Sequence, residues 1–119
     1  MPKKTEKSDV VQLKLKLAER IHLGNILPEK GGLSTMLTRK SLVDKVIVTP
    51  EDMERVGWTD REDGTATWDE KRDLGRNYSF TGLEIELIVR QLRKLNEDEA
   101  LLPAHLGLWE LFVEKQQEA

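Results

Sequence analysis

At 119 residues, with 38% hydrophobic and 34% charged residues and a formal net charge of −3, the chain has the size of one domain and the composition of a soluble globular protein. The slight acidic excess gives no global attraction to nucleic acid or anionic membrane, and the lack of cysteine excludes a disulfide framework, a thiolate nucleophile and a sulfur-ligated zinc. No apolar run approaches the ~20 residues of a spanning helix, and the opening MPKKTEKSD has basic residues with no apolar stretch behind them, so a cytoplasmic protein without a membrane partner is expected.

Residues 1–9 read as a flexible basic tail and 10–119 as a single globular domain. Lys3, Lys4 and Lys7 would suit a nucleic-acid arm, but Glu6 and Asp9 dilute the charge, and a plain polar terminus is the simpler reading. Val11, Leu13, Leu15 and Leu17 alternate with Gln12, Lys14 and Lys16, the period-2 signature of a half-exposed strand. From Leu17 the period lengthens: Leu17, Ile21, Gly24 and Leu27 share a helical face, and Pro28 stops the run. Glycine inside a helix costs roughly 1 kcal/mol against alanine, which implies a close crossing by another element at Gly24. Gly31-Gly32 form a turn, and Ser34 is placed to cap a second helix with Leu33, Met36, Leu37, Val43 and Ile47 on a broad face and Arg39, Lys40 and Lys45 in water. Val46-Ile47-Val48 is β-branched throughout and fits either the end of this helix or a short strand. Thr49-Pro50-Glu51-Asp52 is a start signal for a short helix through Val56, closed by Gly57.

Trp58-Thr59 and Thr65-Ala66-Thr67-Trp68 are strand-like, and the Asp63-Gly64 between them favours a hairpin that would set the two tryptophans face to face. Asn77 to Phe80 offers a further extended piece. The longest helix signal follows. Thr81 and Glu84 form a capping box, Phe80 and Ile85 a hydrophobic staple, and Ile85, Ile88, Val89, Leu92 and Leu95 one apolar stripe. After a connector, Pro103 opens a last helix bearing Leu106, Trp109, Phe112 and Val113. The expected fold class is α+β: a mostly helical single domain with a small antiparallel β-hairpin or meander in mid-chain and a C-terminal αα-hairpin.

Chemistry is sparse. His22 and His105 each stand alone in sequence, without a second ligand at helical spacing. An EF-hand alignment of the acidic loop would put Arg61 at a ligand position, and Asp60, Glu62, Asp63, Asp69, Glu70 and Asp73 read more simply as a solvated hairpin tip. No serine lies in a nucleophile elbow, and Gly31-Gly32 is not followed by a phosphate-loop Lys-Ser/Thr. No catalytic, cofactor-binding or metal-binding residue is assigned. Two helices joined by a turn resemble a helix-turn-helix, but the connection over 28–33 is longer than the usual ~3–4 residues and Asp44 interrupts the basic face. What stands out is surplus apolar surface. Leu106, Leu108, Trp109, Leu111, Phe112 and Val113 spread over roughly 220° of a helical wheel, and Leu83 and Leu87 sit opposite the main stripe of the long helix. Leu83, Leu87, Leu108 and Leu111 are therefore the candidate interaction residues.

Leu15-Lys16-Leu17-Ala18-Glu19-Arg20 running to Ile26-Leu27-Pro28, the Thr65-Ala66-Thr67-Trp68-Asp69 strand, the Phe80-Thr81-x-x-Glu84 helix start and Pro103-Ala104-His105-Leu106-x-Leu108-Trp109-x-x-Phe112 together resemble a group of small proteins encoded by bacteriophages and prophages. The resemblance implies a viral accessory or assembly protein working in the cytoplasm of an infected bacterium, and it carries over no catalytic or binding residue. The function expected on these grounds is non-enzymatic: binding to another protein or to itself as a homo-oligomer. A small nucleic-acid-binding regulator is the alternative, and an enzyme of unrecognised type the third.

Overall fold

The alternating stretch near the start forms β1 (Val10–Leu15), and its apolar positions turn inward where it pairs antiparallel with β4 (Arg76–Thr81). The computed structural model describes residues 10–114, so the tail assigned to 1–9 lies outside the described residues. In this two-stranded sheet Val11 faces Phe80 and Leu13 faces Tyr78, with Tyr78, Phe80 and Leu15 buried. Between the two strands the chain makes α1 (Leu17–Ile26), α2 (Leu33–Val46), α3 (Pro50–Val56) and a hairpin of β2 (Thr59–Asp60) and β3 (Ala66–Thr67). A 3-10 turn, Glu70–Arg72, leads into β4. From β4 the chain passes directly into α4 (Gly82–Glu97), then through a 3-10 turn (Pro103–His105) into α5 (Leu106–Leu108), continued by a π-helical segment, Trp109–Glu114. The fold is α+β and mostly helical, and the C-terminal segment packs back on α4 as the second arm of a helix pair.

Local chemistry accounts for most of the boundaries. Thr81 Oγ1 accepts the Glu84 N–H at 3.2 Å while Glu84 Oε1 accepts the Thr81 N–H at 2.9 Å, the expected capping box. Thr49 and Asp52 repeat it at α3, and Gly57 closes that helix at φ 71, a left-handed conformation that a Cβ disfavours. The β-branched 46–48 run does not form a strand: α2 ends at Val46, and the Arg20 guanidinium takes the Val46 and Ile47 carbonyls. The hairpin is as expected, with Gly64 at φ 90 and the Trp58 and Trp68 rings stacked at 5.3 Å and 6°. The extended piece after it joins β1, not the hairpin, so the strands make two separate pairs and not one continuous meander. The stacking predicts an exciton-coupled tryptophan band in near-UV circular dichroism. Trp58→Phe or Trp68→Phe alone should abolish it, and two independent single-tryptophan signals would refute the geometry.

Two expectations are corrected by packing. No close crossing occurs at Gly24, because a Cβ built there meets nothing within 4 Å. Gly24→Ala is therefore expected to raise stability by about 0.5–1 kcal/mol, read as a higher urea midpoint at unchanged m-value. The buried face of α4 centres on Glu84, Leu87, Ile88 and Leu92, while Ile85, Val89 and Leu95 are only half-buried. The helix is rolled toward α2 because Glu84 is fastened there: Ser41 Oγ donates to its Oε2 at 2.7 Å and Lys45 Nζ to its Oε1 at 2.6 Å.

Candidate functional site

The buried charges come first, since such groups are where chemistry is sought. Arg20 donates to Val46 O at 3.0 Å, to Ile47 O at 2.6 Å and to Asp52 Oδ2 at 2.9 Å, tying α1 to the end of α2 and the start of α3. Asp73 Oδ2 accepts the Leu17 N–H at 2.9 Å and so caps α1 from the far side of the hairpin. Glu84 is held by Ser41, Lys45 and Thr81. Among the described residues the Tyr78 hydroxyl is the one buried side-chain polar atom without a partner, so these charges are consumed as structure.

Their electrostatics follow from those partners. Burial pushes the Asp52 carboxyl up, but the Arg20 guanidinium and the Thr49 N–H and hydroxyl outweigh it and bring the pKa from 3.8 down to about 2. Burial also raises Glu84, and Lys45 and Ser41 outweigh it, leaving that carboxyl below its ordinary value. A depressed carboxylate contributes stability above its unfolded pKa and loses it as pH falls through the folded one. For Asp52 that window runs from 3.8 down to about 2, and a shift of this size corresponds to about 2 kcal/mol. Urea midpoints of the wild type should drop across this range more steeply than those of Asp52→Asn, and parallel curves would contradict the assignment.

The four candidate leucines do not form one surface. Leu83 is 61% exposed, whereas Leu87 at 2% and Leu108 at 0% are core residues, and Leu111 is half-buried against the same core. The wheel misplaced Leu87 because α4 is rolled toward α2. Leu108 and Leu111 were misplaced because the last segment is not a regular α-helix. With i→i+5 bonding, residues four and five apart stack, so Leu108, Phe112 and Val113 all turn inward, while Leu106 stays exposed. Large apolar side chains are exposed at Ile47, Leu74, Leu102 and Leu106, and on the first half of α2, where Leu33 is 77% and Leu37 58% exposed at i,i+4 spacing. That row continues to Ser41, which is bonded to Glu84, the residue after exposed Leu83.

The bases on α2 are less available than their spacing implied. Arg39 Nε donates to Pro28 O at 2.7 Å, and Lys45 is spent on Glu84 and the Ser79 carbonyl. Lys40 alone of the three is fully exposed, and it pairs with Asp44 at 3.0 Å.

A pocket of about 610 Å³ opens between α1, α4 and the connector over 98–105. It brings together His22 and His105, which nothing in their local sequence linked, with Asn25, Gln91, Lys94 and Asp98 around them. Leu102 N–H donates to His105 Nδ1 at 3.0 Å, fixing that buried ring. Glu99, between two lining residues, has φ 55 at the end of α4, a position helices usually give to glycine, and the Ala100 N–H closes the turn on Leu95 O at 2.8 Å. Among the described residues no group of three or more His, Asp or Glu side chains could hold a metal ion.

No family model, curated protein or solved structure matches this chain. No helix among the described residues is long and apolar enough to cross a membrane. The exposed leucines of α2 and the histidine pocket are the features of the described residues that bear on a function.

Proposed function

We propose that this chain is a non-enzymatic protein that acts by binding protein, in the first instance a second copy of itself, through the leucines of α2 and the start of α4. The observation that carries the reading is the exposure of Leu33 and Leu37, one turn apart on α2, together with that of Leu83 at the start of α4. Clustered apolar exposure is uncommon on a true monomer and marks an interaction site. The involvement of every buried charge in caps and ion pairs supports a scaffold in place of a reaction centre. The resemblance to small phage-encoded proteins supports an accessory or assembly role in the cytoplasm of an infected bacterium.

The test is the mass in solution. Light scattering after size exclusion should show wild-type mass rising with concentration, and Leu37→Asp combined with Leu83→Lys should give a monomer with an unchanged far-UV circular dichroism spectrum, since both side chains are exposed. A wild type that stays monomeric and captures no protein from bacterial lysate would sink the reading.

A further inference from the structure

Beyond the leucine surface, and independent of it, the pocket between α1 and α4 has the make-up of a ligand site. Its volume of about 610 Å³ lies within the ~300–1,000 Å³ typical of small-molecule pockets. Ile26, Leu95 and Leu102 give it an apolar part. Its polar part is rich in hydrogen-bond donors. Because His105 Nδ1 accepts the Leu102 N–H, the neutral ring carries its hydrogen on Nε2, a donor held in place by a buried side chain. His22 and Asn25 add donors from α1. Lys94 Nζ is 3.7 Å from Asp98 Oδ2, with both side chains largely exposed. A pair so long and wet contributes little, and its ammonium is free to turn to a better partner. Gln91 is oriented by donating from Nε2 to Ile26 O at 3.2 Å, which spends one of its own donors on the wall.

We propose that this pocket binds a small organic carboxylate with a short apolar tail. The tail lies against Ile26, Leu95 and Leu102, and the carboxylate exchanges Asp98 for itself at Lys94 while accepting from the His22 and His105 imidazoles. Asp98 would offer a cationic ligand one carboxylate, but the fixed Nε2–H of His105 would then face a cation with nothing to accept it, and a neutral alcohol would leave the Lys94–Asp98 pair in place. The acid is therefore the class that the donor set selects.

Hexanoate is the probe, added to the isotopically labelled full chain. It should move the imidazole signals of both His22 and His105 saturably, with Kd in the roughly millimolar range proper to so small a ligand. Hexylamine and hexanol should bind at least roughly tenfold more weakly. Lys94→Glu, at an exposed position, should keep the fold and weaken hexanoate roughly tenfold. Non-saturating shifts, equal binding of hexylamine, zinc moving the same signals where hexanoate does not, or unchanged hexanoate affinity in a folded Lys94→Glu chain would each overturn the proposal. Should Lys94→Glu fail to fold, Ala104→Trp fills the pocket from an exposed position and must abolish the hexanoate response, and a response that survives it overturns the proposal equally.

Discussion

Arg20→Met is expected to destabilise the fold by about 3–5 kcal/mol, the cost of leaving a buried carboxylate without its counter-charge. Arg20 is buried in α1 and serves three acceptors at once: the Asp52 carboxylate and the last carbonyls of α2 at Val46 and Ile47. Removing the guanidinium strips the C-terminal cap from α2 and leaves Asp52 with the Thr49 cap, Arg55 at 3.2 Å and a distant Arg76 at 3.8 Å. Those two arginines are far more exposed than Arg20 and are screened accordingly. Asp52→Asn in the Arg20→Met background should recover part of the loss, because an amide has no charge to bury. The acid sensitivity assigned to Asp52 should shrink in Arg20→Met, since burial is then opposed by the Thr49 cap without the Arg20 guanidinium. Urea unfolding of the four combinations checks all three statements. A loss below about 1 kcal/mol for Arg20→Met would show that the network is not formed in solution.

Phe80→Ala should cost a comparable amount, about 3–5 kcal/mol, through the cavity it opens. Phe80 is fully buried, meets Phe112 edge-on at 5.3 Å and 84°, and lies under the Lys45 ammonium at 5.1 Å from the ring centroid. It therefore joins β4, α2 and the C-terminal segment at one point, directly before the Thr81 cap of α4. Leu83→Ala, three residues on, is the internal control and should change stability by less than about 0.5 kcal/mol because its side chain is in water. Equal losses at Phe80 and Leu83 would contradict the packing described here. A large loss at Phe80 accompanied by premature melting of the C-terminal segment, seen by hydrogen exchange, would support Phe80 as the residue that docks that segment.

The sequence by itself determined the elements whose causes lie within a few residues. The Val11–Leu15 alternation, the Thr81/Glu84 and Thr49/Asp52 boxes, the Gly57 stop and the Asp63-Gly64 hairpin are all decided by neighbours along the chain, and all stand in the structure. Only the tertiary structure decided how those elements meet. β4 pairs with β1 because the intervening helices return the chain there, α4 rolls until Glu84 reaches Ser41 and Lys45, and the widened turn after Leu108 draws Phe112 and Val113 into the core together. These outcomes moved Leu87 and Leu108 from expected surface to core, left Leu83 exposed, and revealed Leu33 and Leu37. A helical wheel assigns one face per helix on a fixed turn angle, and it cannot register a neighbour that packs from the side or a turn that widens. The pocket was invisible for the same reason. His22 and His105 belong to segments at opposite ends of the chain, and it is their packing against α4, not any spacing between them, that brings both into the lining of one pocket.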